Sequence, residues 1–451
     1  LKNVIISILP TNTAAFAAKE IESNSTMKKI ISIAIRVATL LIAALFIFSG
    51  FVKGIDPLGT TYKLVDYFEA FHLTFLNPIA TPLSILLSSA EMLIGLALLF
   101  KVRVKLAAWA AFIFMAFFTV LTFILALYNP VSDCGCFGDA LILTNWETFF
   151  KNLIFLPITY LIFWQRNAIK ERFKRTINSW ITVGILALAA IMVSIISLAY
   201  LPPIDFRPFR VGVNLKEAMD TPQGAPTDIY KTTLVYEKDG VKKTFDESNY
   251  PWKDTTWKFV DSKSVLVKKG YTPSIISFSL LDENGTDVSD LVVNGTGYTF
   301  LLVAPKLENA NLSRIKYLRY LDGYCLANGH KFLVTTSSDW DKIKSFEEQM
   351  ELPVTVTQGD EVLLKTIVRS NPGLLLIYNG TIIGKWSWRT MPVFHSSNQN
   401  FLSFCLKQNQ SMLARRMVVS LILLLALGYM FTLYLKKKKK KKRSKSEAIR
   451  K

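Results

Sequence analysis

Apolar residues in this chain gather into long runs. Six runs of 18 or more predominantly apolar residues fall at about 30–52, 79–100, 104–128, 147–164, 179–201 and 416–435. Each is long enough to cross about 30 Å of hydrocarbon as a helix, and the fourth is the shortest. Between the fifth and sixth runs the pattern becomes that of a globular domain with enough residues for a core of its own. The sequence therefore predicts a multi-span α-helical membrane protein carrying one large extramembrane domain.

Within that domain, short apolar strands alternate with helical periodicity. Strands are expected at Phe300–Ala304, Phe332–Thr336, Val354–Thr357, Leu374–Tyr378 and Thr381–Trp386. Helices are expected over Leu312–Ala327, from Asp339 to about Met350, and near Val362–Val368. Strands separated by helices imply an α/β sheet. Asn379-Gly380 between the last two strands is a strong two-residue hairpin signal, and Lys238-Asp239-Gly240 marks another turn in the alternating stretch upstream.

Charge orients the spans. Basic residues cluster at Lys28, Lys29 and Arg36, at Lys101, Arg103 and Lys105, at Arg166, Lys170, Arg172, Lys174 and Arg175, and from Lys436 to Arg443. If successive spans alternate in direction, all four clusters share one face. The positive-inside rule makes that face cytoplasmic. The expected location is the inner (cytoplasmic) membrane, with both termini inside and the loops 53–78 and 129–146 and the domain 202–415 outside. The net charge of +19 is thereby assigned to membrane flanks. Its expected partner is anionic lipid at the lysine tail, at roughly 1 kcal/mol per basic residue, and no nucleic-acid motif is present. Residues 1–26 read as a doubtful leader, since Met27-Lys28-Lys29 stands before the first span as a start would.

The expected organisation is then a four-helix membrane domain at 27–165, a basic cytoplasmic loop at 166–178, a fifth span at 179–201 and a hairpin-rich segment at 202–269. An α/β domain at 270–390, a linker at 391–415, the sixth span at 416–435 and a polybasic tail at 436–451 complete it.

This topology places all four cysteines, Cys134, Cys136, Cys325 and Cys405, on the face where disulfides persist. The sharpest motif is Asp133-Cys134-Gly135-Cys136-Phe137-Gly138-Asp139. Two thiols one residue apart can close a ring only through a sharp bend, and Gly135 supplies the backbone freedom. A strained, exposed disulfide is oxidising and labile, which suits an exchange site. Other partners for the two thiols, or no role, are the bland alternatives. A metal site with Asp133, Asp139 and His72 ranks last, because two thiols are too few for a closed zinc site. Cys325 and Cys405 form a candidate structural disulfide. Glu91 lies inside the second span, where a carboxylate must face the bundle interior. Arg36 on the first span, or Thr119 and Thr122 on the third, are its expected partners. It serves either as a proton acceptor for thiol or quinone chemistry or as polar glue between helices, and two or more helical turns are expected between it and the outer loop.

Phe48-Ser49-Gly50-Phe51-Val52-Lys53, Asp56-Pro57-Leu58-Gly59, Ala90-Glu91-Met92-Leu93-Ile94-Gly95, the Cys-Gly-Cys-Phe-Gly loop and Lys151-Asn152 follow one another in the order of the DoxX-like membrane proteins. Among these they resemble the MauE type, named for methylamine utilisation. The resemblance covers about residues 27–165. It implies a four-helix membrane unit, a role in maturing a disulfide-rich partner, and Cys134 and Cys136 as the redox pair. Residues 270–390 in turn resemble the membrane-anchored, TlpA-like branch of the thioredoxin fold. That likeness places Pro372 where this family keeps a cis-proline that contacts bound partners. The turn that should hold Cys-x-x-Cys reads Pro305-Lys306-Leu307-Glu308-Asn309-Ala310-Asn311 and carries no cysteine.

Two functions are open at this level. One is a thiol–disulfide oxidoreductase using Cys134 and Cys136, with a quinone as candidate electron acceptor and an extracytoplasmic protein as client or redox partner. The other is a non-catalytic, membrane-anchored binding or assembly module built on the degenerate domain. A transporter is weaker, because no second charge is expected within the spans. The topology predicts that a membrane-impermeant thiol reagent applied to intact cells labels the reduced Cys134–Cys136 loop. Labelling only after permeabilisation would reverse the orientation.

Overall fold

The structure is a computed structural model that describes residues 11–131, 133–173, 176–350, 355–392, 402–403, 405 and 418–419. The expected span at 416–435 therefore lies almost wholly outside the described residues.

Apolar sequence becomes long helices, as it must where no water is available to satisfy the backbone. They are α1 (Thr11–Ile55), α2 (Pro57–Ala70), α3 (Ala80–Phe100), α4 (Val104–Tyr128), α5 (Asn145–Trp164) and α6 (Thr176–Tyr200). α1 begins ahead of Met27, so part of the expected leader is continuous with the first helix. Four segments among the described residues are long and apolar enough to cross a membrane: Lys29–Ile55, Thr74–Phe100, Val104–Tyr128 and Thr176–Tyr200. Their outward faces stay apolar, with Val37, Leu86, Phe117, Val120 and Leu188 exposed. An apolar surface all round is the mark of a helix solvated by lipid. α5 runs alongside α4 but is less apolar, because Glu147, Lys151 and Asn152 occupy its first turns. It starts with a complete capping box, Thr144 and Glu147 each satisfying a backbone amide of the other's residue.

α1 and α3 approach closely because each offers a glycine to the other. A Cβ on Gly50 would lie 2.7 Å from the Ser88 carbonyl oxygen, and one on Gly95 would lie 2.7 Å from both the Ala43 carbonyl oxygen and the Ile47 amide. Backbones this close pack through small residues.

The extramembrane part contains two sheets. β1 (Ile229–Lys238), β2 (Val241–Asp246) and β3 (Lys258–Lys268) form an antiparallel three-stranded sheet in the order β2-β1-β3. Its first turn, Asp239-Gly240, has both residues at positive φ, the requirement of a tight primed hairpin. The second sheet uses β4 (Leu280–Leu281), β5 (Tyr298–Ala304), β6 (Lys331–Thr336), β7 (Thr355–Gly359), β8 (Gly373–Tyr378) and β9 (Thr381–Ser387). Their spatial order is β4-β7-β6-β5-β8-β9. β5, β6 and β7 are parallel, β8 runs antiparallel to β5, and β9 runs antiparallel to β8. Helices α7 (Ile315–Asn328), α8 (Trp340–Met350) and α9 (Glu361–Ile367) supply the crossovers.

Alternation along β5 builds a core on each face. Phe300 and Leu302 pack with Leu374, Leu376 and Trp386 on one side. Leu301 and Val303 pack with Leu333, Leu375 and Ile377 on the other. Phe209 and Leu215 join the second core, so the expected hairpin-rich unit 202–269 divides. Its first part belongs to the larger sheet, reinforced by bonds from the Gly212 amide to the Ile382 carbonyl and back from Ile382 to Val213. The Asn371–Pro372 peptide bond before β8 is cis. Cys325 and Cys405 lie in the first core as free thiols, not joined in the expected disulfide. Burial pushes the Cys325 thiol up to about 12 and raises Cys405 as well.

The close glycine packing sets a measurable limit. Gly95→Leu should force α1 and α3 apart and cost about 1–3 kcal/mol, as overpacking generally does. The check is the melting temperature of the full chain in detergent, with Gly184→Ala as control because nothing lies within 4 Å of a Cβ there. An unchanged melting temperature for Gly95→Leu would contradict the packing.

Candidate functional site

The site lies where the end of α1, the second half of α2, the middle of α3 and the start of α5 meet the Cys-Gly-Cys loop. Ser49 and Lys53 are four residues apart on α1 and so share one face. Both reach Glu91 on α3. Lys53 Nζ donates to Glu91 Oε1 at 2.7 Å, with both side chains buried. Ser49 Oγ lies 2.7 Å from Glu91 Oε2 and 2.8 Å from the Cys136 carbonyl oxygen. One hydroxyl has one proton, and a carbonyl only accepts. Both contacts are therefore satisfied together only when Glu91 carries a proton on Oε2. With Glu91 ionised, Ser49 must choose between the carboxylate and the loop.

These contacts revise the sequence expectations. Lys53 belongs to α1 rather than to the outer loop, and it is Glu91's partner. Arg36 lies at the opposite end of the bundle, beside Lys101 and Lys170. Thr119 and Thr122 donate to carbonyls of their own helix, and Thr122 also accepts from Asn152 Nδ2 at 3.1 Å. Glu91 is one hydroxyl away from the cysteine loop, not two turns distant. The bundle also holds a second buried charge.

The loop is shaped by its own polar groups. Asp133 Oδ1 accepts from the Gly135 amide at 3.0 Å, while Oδ2 takes Lys63 Nζ at 2.8 Å. Tyr67 donates its phenolic proton to the Cys134 carbonyl at 2.7 Å. Gly135 has φ +62°, a left-handed conformation that glycine adopts without cost. The Gly138 amide closes the turn on the Gly135 carbonyl at 3.1 Å. Phe137 is buried under Phe48, and Lys151 Nζ stands 4.2 Å from its ring centroid. Asp139 accepts from Arg369 Nη2 at 2.9 Å, and Asp56 accepts from Nε of the same guanidinium. Both acids that flank the thiols are thus neutralised by a cation, one from α2 and one from the extramembrane sheet domain. Pro372 follows Arg369 by three residues, and its neighbour Asn371 donates to the Lys306 carbonyl at 2.7 Å. The cysteine-free turn and Pro372 therefore belong to the edge of the domain that meets the loop.

The two thiols are half-buried and share a hydrogen bond. That bond, with help from Thr148 and the charge of Lys151, lowers Cys134 to about 6. Cys136 is raised well above the ordinary thiol value, because its proton serves Cys134 and because it is more deeply buried. One thiol of the pair is thus readily ionised while the other holds its proton. Beside Cys136, a cavity of about 50 Å³ is bounded by Lys53, Glu91, Lys151, Asn152 and the rings of Phe118 and Phe137. It is polar enough and large enough for water. No cluster of three or more His, Cys, Asp or Glu that could hold a metal forms among the described residues.

Residues 30–165 match the family model for Methylamine utilisation protein MauE. The MauE-type segment takes in α1 from Ile30, α2 through α5, and the whole of the Ser49–Lys53–Glu91–Cys134–Cys136 arrangement. Residues 230–269, the three-stranded sheet, match a domain of unknown function, DUF8463. No curated protein matches the chain, and no solved structure matches it.

Lys53 was legible only as part of a motif, since nothing local ties it to a residue 38 positions away. Arg369 had no sequence signal, for its partners lie 313 and 230 residues earlier. The asymmetry of the thiols is directly measurable. Alkylation of Cys134 by iodoacetamide should reach half its maximal rate near pH 6, while Cys136 stays unreactive far into the alkaline range. Cys136→Ala should move the Cys134 midpoint furthest upward, and Lys151→Met less far. A wild-type midpoint at the value of a free thiol, about 8.5, would overturn the assignment of Cys134 as the readily ionised thiol.

Proposed function

We propose that this protein is a membrane thiol–disulfide oxidoreductase in which Cys134 attacks and Cys136 resolves. The observation that carries the reading is the hydrogen-bonded thiol pair tied through Ser49 to a buried Lys53–Glu91 pair. In the oxidising direction, the two thiols release two protons and two electrons and an S–S bond forms between them. The acceptor we assign by class is a membrane quinone, which takes both electrons and both protons and leaves as hydroquinone. Glu91 receives one of these two protons by way of Ser49 and passes it on to the quinone, and Lys53 holds the transiently neutral acid in place. A quinone ring is larger than the cavity beside Cys136, so it enters only if the phenylalanines lining that cavity part. The oxidised pair then passes its disulfide to an extracytoplasmic protein: a client thiolate attacks one sulfur, and a second client thiolate releases the pair as dithiol.

The reading extends to the parts around this centre. We take α5 as a span, since it runs from the cysteine loop to the basic end of the bundle and its 20 residues reach about 30 Å. We take 416–435 as a further span, and the face bearing the loop and the sheet domain as extracytoplasmic. The sheet domain we read as thioredoxin-like on its strand order, with a parallel β5-β6 pair and an antiparallel β8-β9 hairpin beside it. Lacking a thiol in the turn 305–311, it acts as the docking element that presents a client to the membrane loop. A purely binding or assembly role for the whole chain is the competing reading.

The test uses the full chain reduced in detergent and mixed with a short-chain quinone. Expected is a Cys134–Cys136 disulfide, seen as a loop peptide two hydrogens lighter, with stoichiometric hydroquinone. Glu91→Gln should slow it by about a hundredfold or more, the usual scale of a lost general base, and Cys134→Ser should abolish it. Quinone reduction that persists in Cys134→Ser, or a wild-type loop that never oxidises, removes the redox reading and leaves the binding role.

A further inference from the structure

The end of the bundle remote from the cysteines carries a cavity of about 620 Å³. That volume falls within the range of sites that enclose a substantial ligand. It opens between the Ile31–Leu40 stretch of α1, the end of α3 and the segment that follows α5. Apolar side chains, Ile35, Leu98 and Ile169 among them, make up most of its wall, while Arg36, Lys101 and Lys170 stand around it. Ile35 and Leu98 are buried, and the three cations are exposed. None of the three has an ion-pair partner among the described residues; Glu171, the acid nearest in sequence, pairs with none of them. The wall is held by backbone structure: Lys101 ends α3 in a left-handed conformation, and its carbonyl accepts from the Arg172 amide at 2.9 Å.

We infer that this cavity is a binding site for an anionic phospholipid, with the phosphate among Arg36, Lys101 and Lys170 and an acyl chain along the apolar wall. Three observations converge on that ligand. Three unpaired cations surround one opening, and a lone positive cluster seeks an anion. The larger part of the wall is apolar, which a small hydrophilic anion would leave uncovered. The cavity lies between membrane helices at the end where the basic loops gather, so it faces the leaflet richest in anionic headgroups. Basic pockets between spans on that side are where such headgroups bind. This site is separate from the lysine tail, whose attraction to lipid is diffuse, and it does not depend on the redox reading of the cysteines.

The test is native mass spectrometry of the full chain, extracted from vesicles of phosphatidylglycerol and phosphatidylcholine in equal parts and washed at 1 M salt. At that ionic strength the Debye length is about 3 Å, so lipid held only by the exposed tail is released. One phosphatidylglycerol should remain per chain, with no retained phosphatidylcholine. The triple variant R36Q/K101Q/K170Q should bind phosphatidylglycerol on the order of a hundredfold more weakly, at roughly a factor of five per cation. Lys170→Gln alone lies outside the helices, and it should weaken binding several-fold while leaving the melting temperature and the Cys134 alkylation profile unchanged. Equal retention by the triple variant, or retention of phosphatidylcholine as readily, overturns the site. Inorganic phosphate binding as tightly as the lipid and displacing it would assign the cations to free phosphate and overturn the lipid.

Discussion

A carboxylate placed between membrane helices must be paired, and in this protein Glu91 is paired twice over. Lys53 neutralises it and Ser49 reaches its second oxygen. Removing one member of a buried ion pair generally costs about 3–5 kcal/mol, because the other charge is left without compensation. That penalty fixes the outer end of α1 against the middle of α3. Gly50 and Gly95 make the approach sterically feasible, each lying one to four residues from the members of the pair. Packing and electrostatics thus impose the same helix register, and the Cys136 carbonyl is hung on that register through the Ser49 hydroxyl. The geometry of the thiol loop is in this sense a consequence of how a charge is accommodated in the bundle.

The second constraint acts across the membrane surface. Arg369 is buried between Asp56, which caps α2, and Asp139, which ends the cysteine loop, and it also stacks near Tyr62. Asp56 does two jobs, since the same side chain accepts from the Gly59 amide at the start of α2. The sheet domain is tethered through its other side as well: Asp205, just beyond α6, binds Arg207 and Lys385, and the two cations hold it well below the usual carboxylate range. Burial beside them lowers Lys385 to about 8. A domain fixed at both the loop edge and the α6 edge cannot swing freely over the thiols. Arg369 therefore relates the domain to the cysteine loop in a defined way, even though the domain carries no thiol of its own at the turn 305–311.

How much of this could be read from sequence follows from the range of the interactions. Helices and strands arise from local periodicity, so the strands near Phe300, Phe332, Leu374 and Thr381 lie within two residues of their expected limits. The hairpins at Asp239-Gly240 and Asn379-Gly380 likewise follow from residues that tolerate positive φ. The Cys-Gly-Cys loop was visible because its chemistry is contiguous. Glu91 was visible as an anomaly, but its surroundings were not. The expected partner, Arg36, lies nearly four turns before Ser49 on the same helix, and only the crossing of α1 and α3 determines which cation Glu91 meets. The division of 202–269 was likewise invisible, because Phe209 and Leu215 find their core on strands far along the chain, β5 and β8 among them.

The arrangement also bears on why the acids around the thiols do not suppress their chemistry. Asp133 and Asp139 would by themselves disfavour a thiolate between them. Each is instead turned toward a cation from another element, Lys63 on α2 and Arg369 on the sheet domain, and each spends its lone pairs on shaping or anchoring the loop. Lys151 remains unclaimed by any carboxylate among the described residues and sits over Phe137, where its charge acts on both sulfurs. The loop thus uses its acids for conformation and borrows its positive field from α5. Moving the sheet domain away would expose Asp139 and return its charge to the neighbourhood of Cys136, so the position of the domain and the reactivity of the thiols are linked through a single guanidinium.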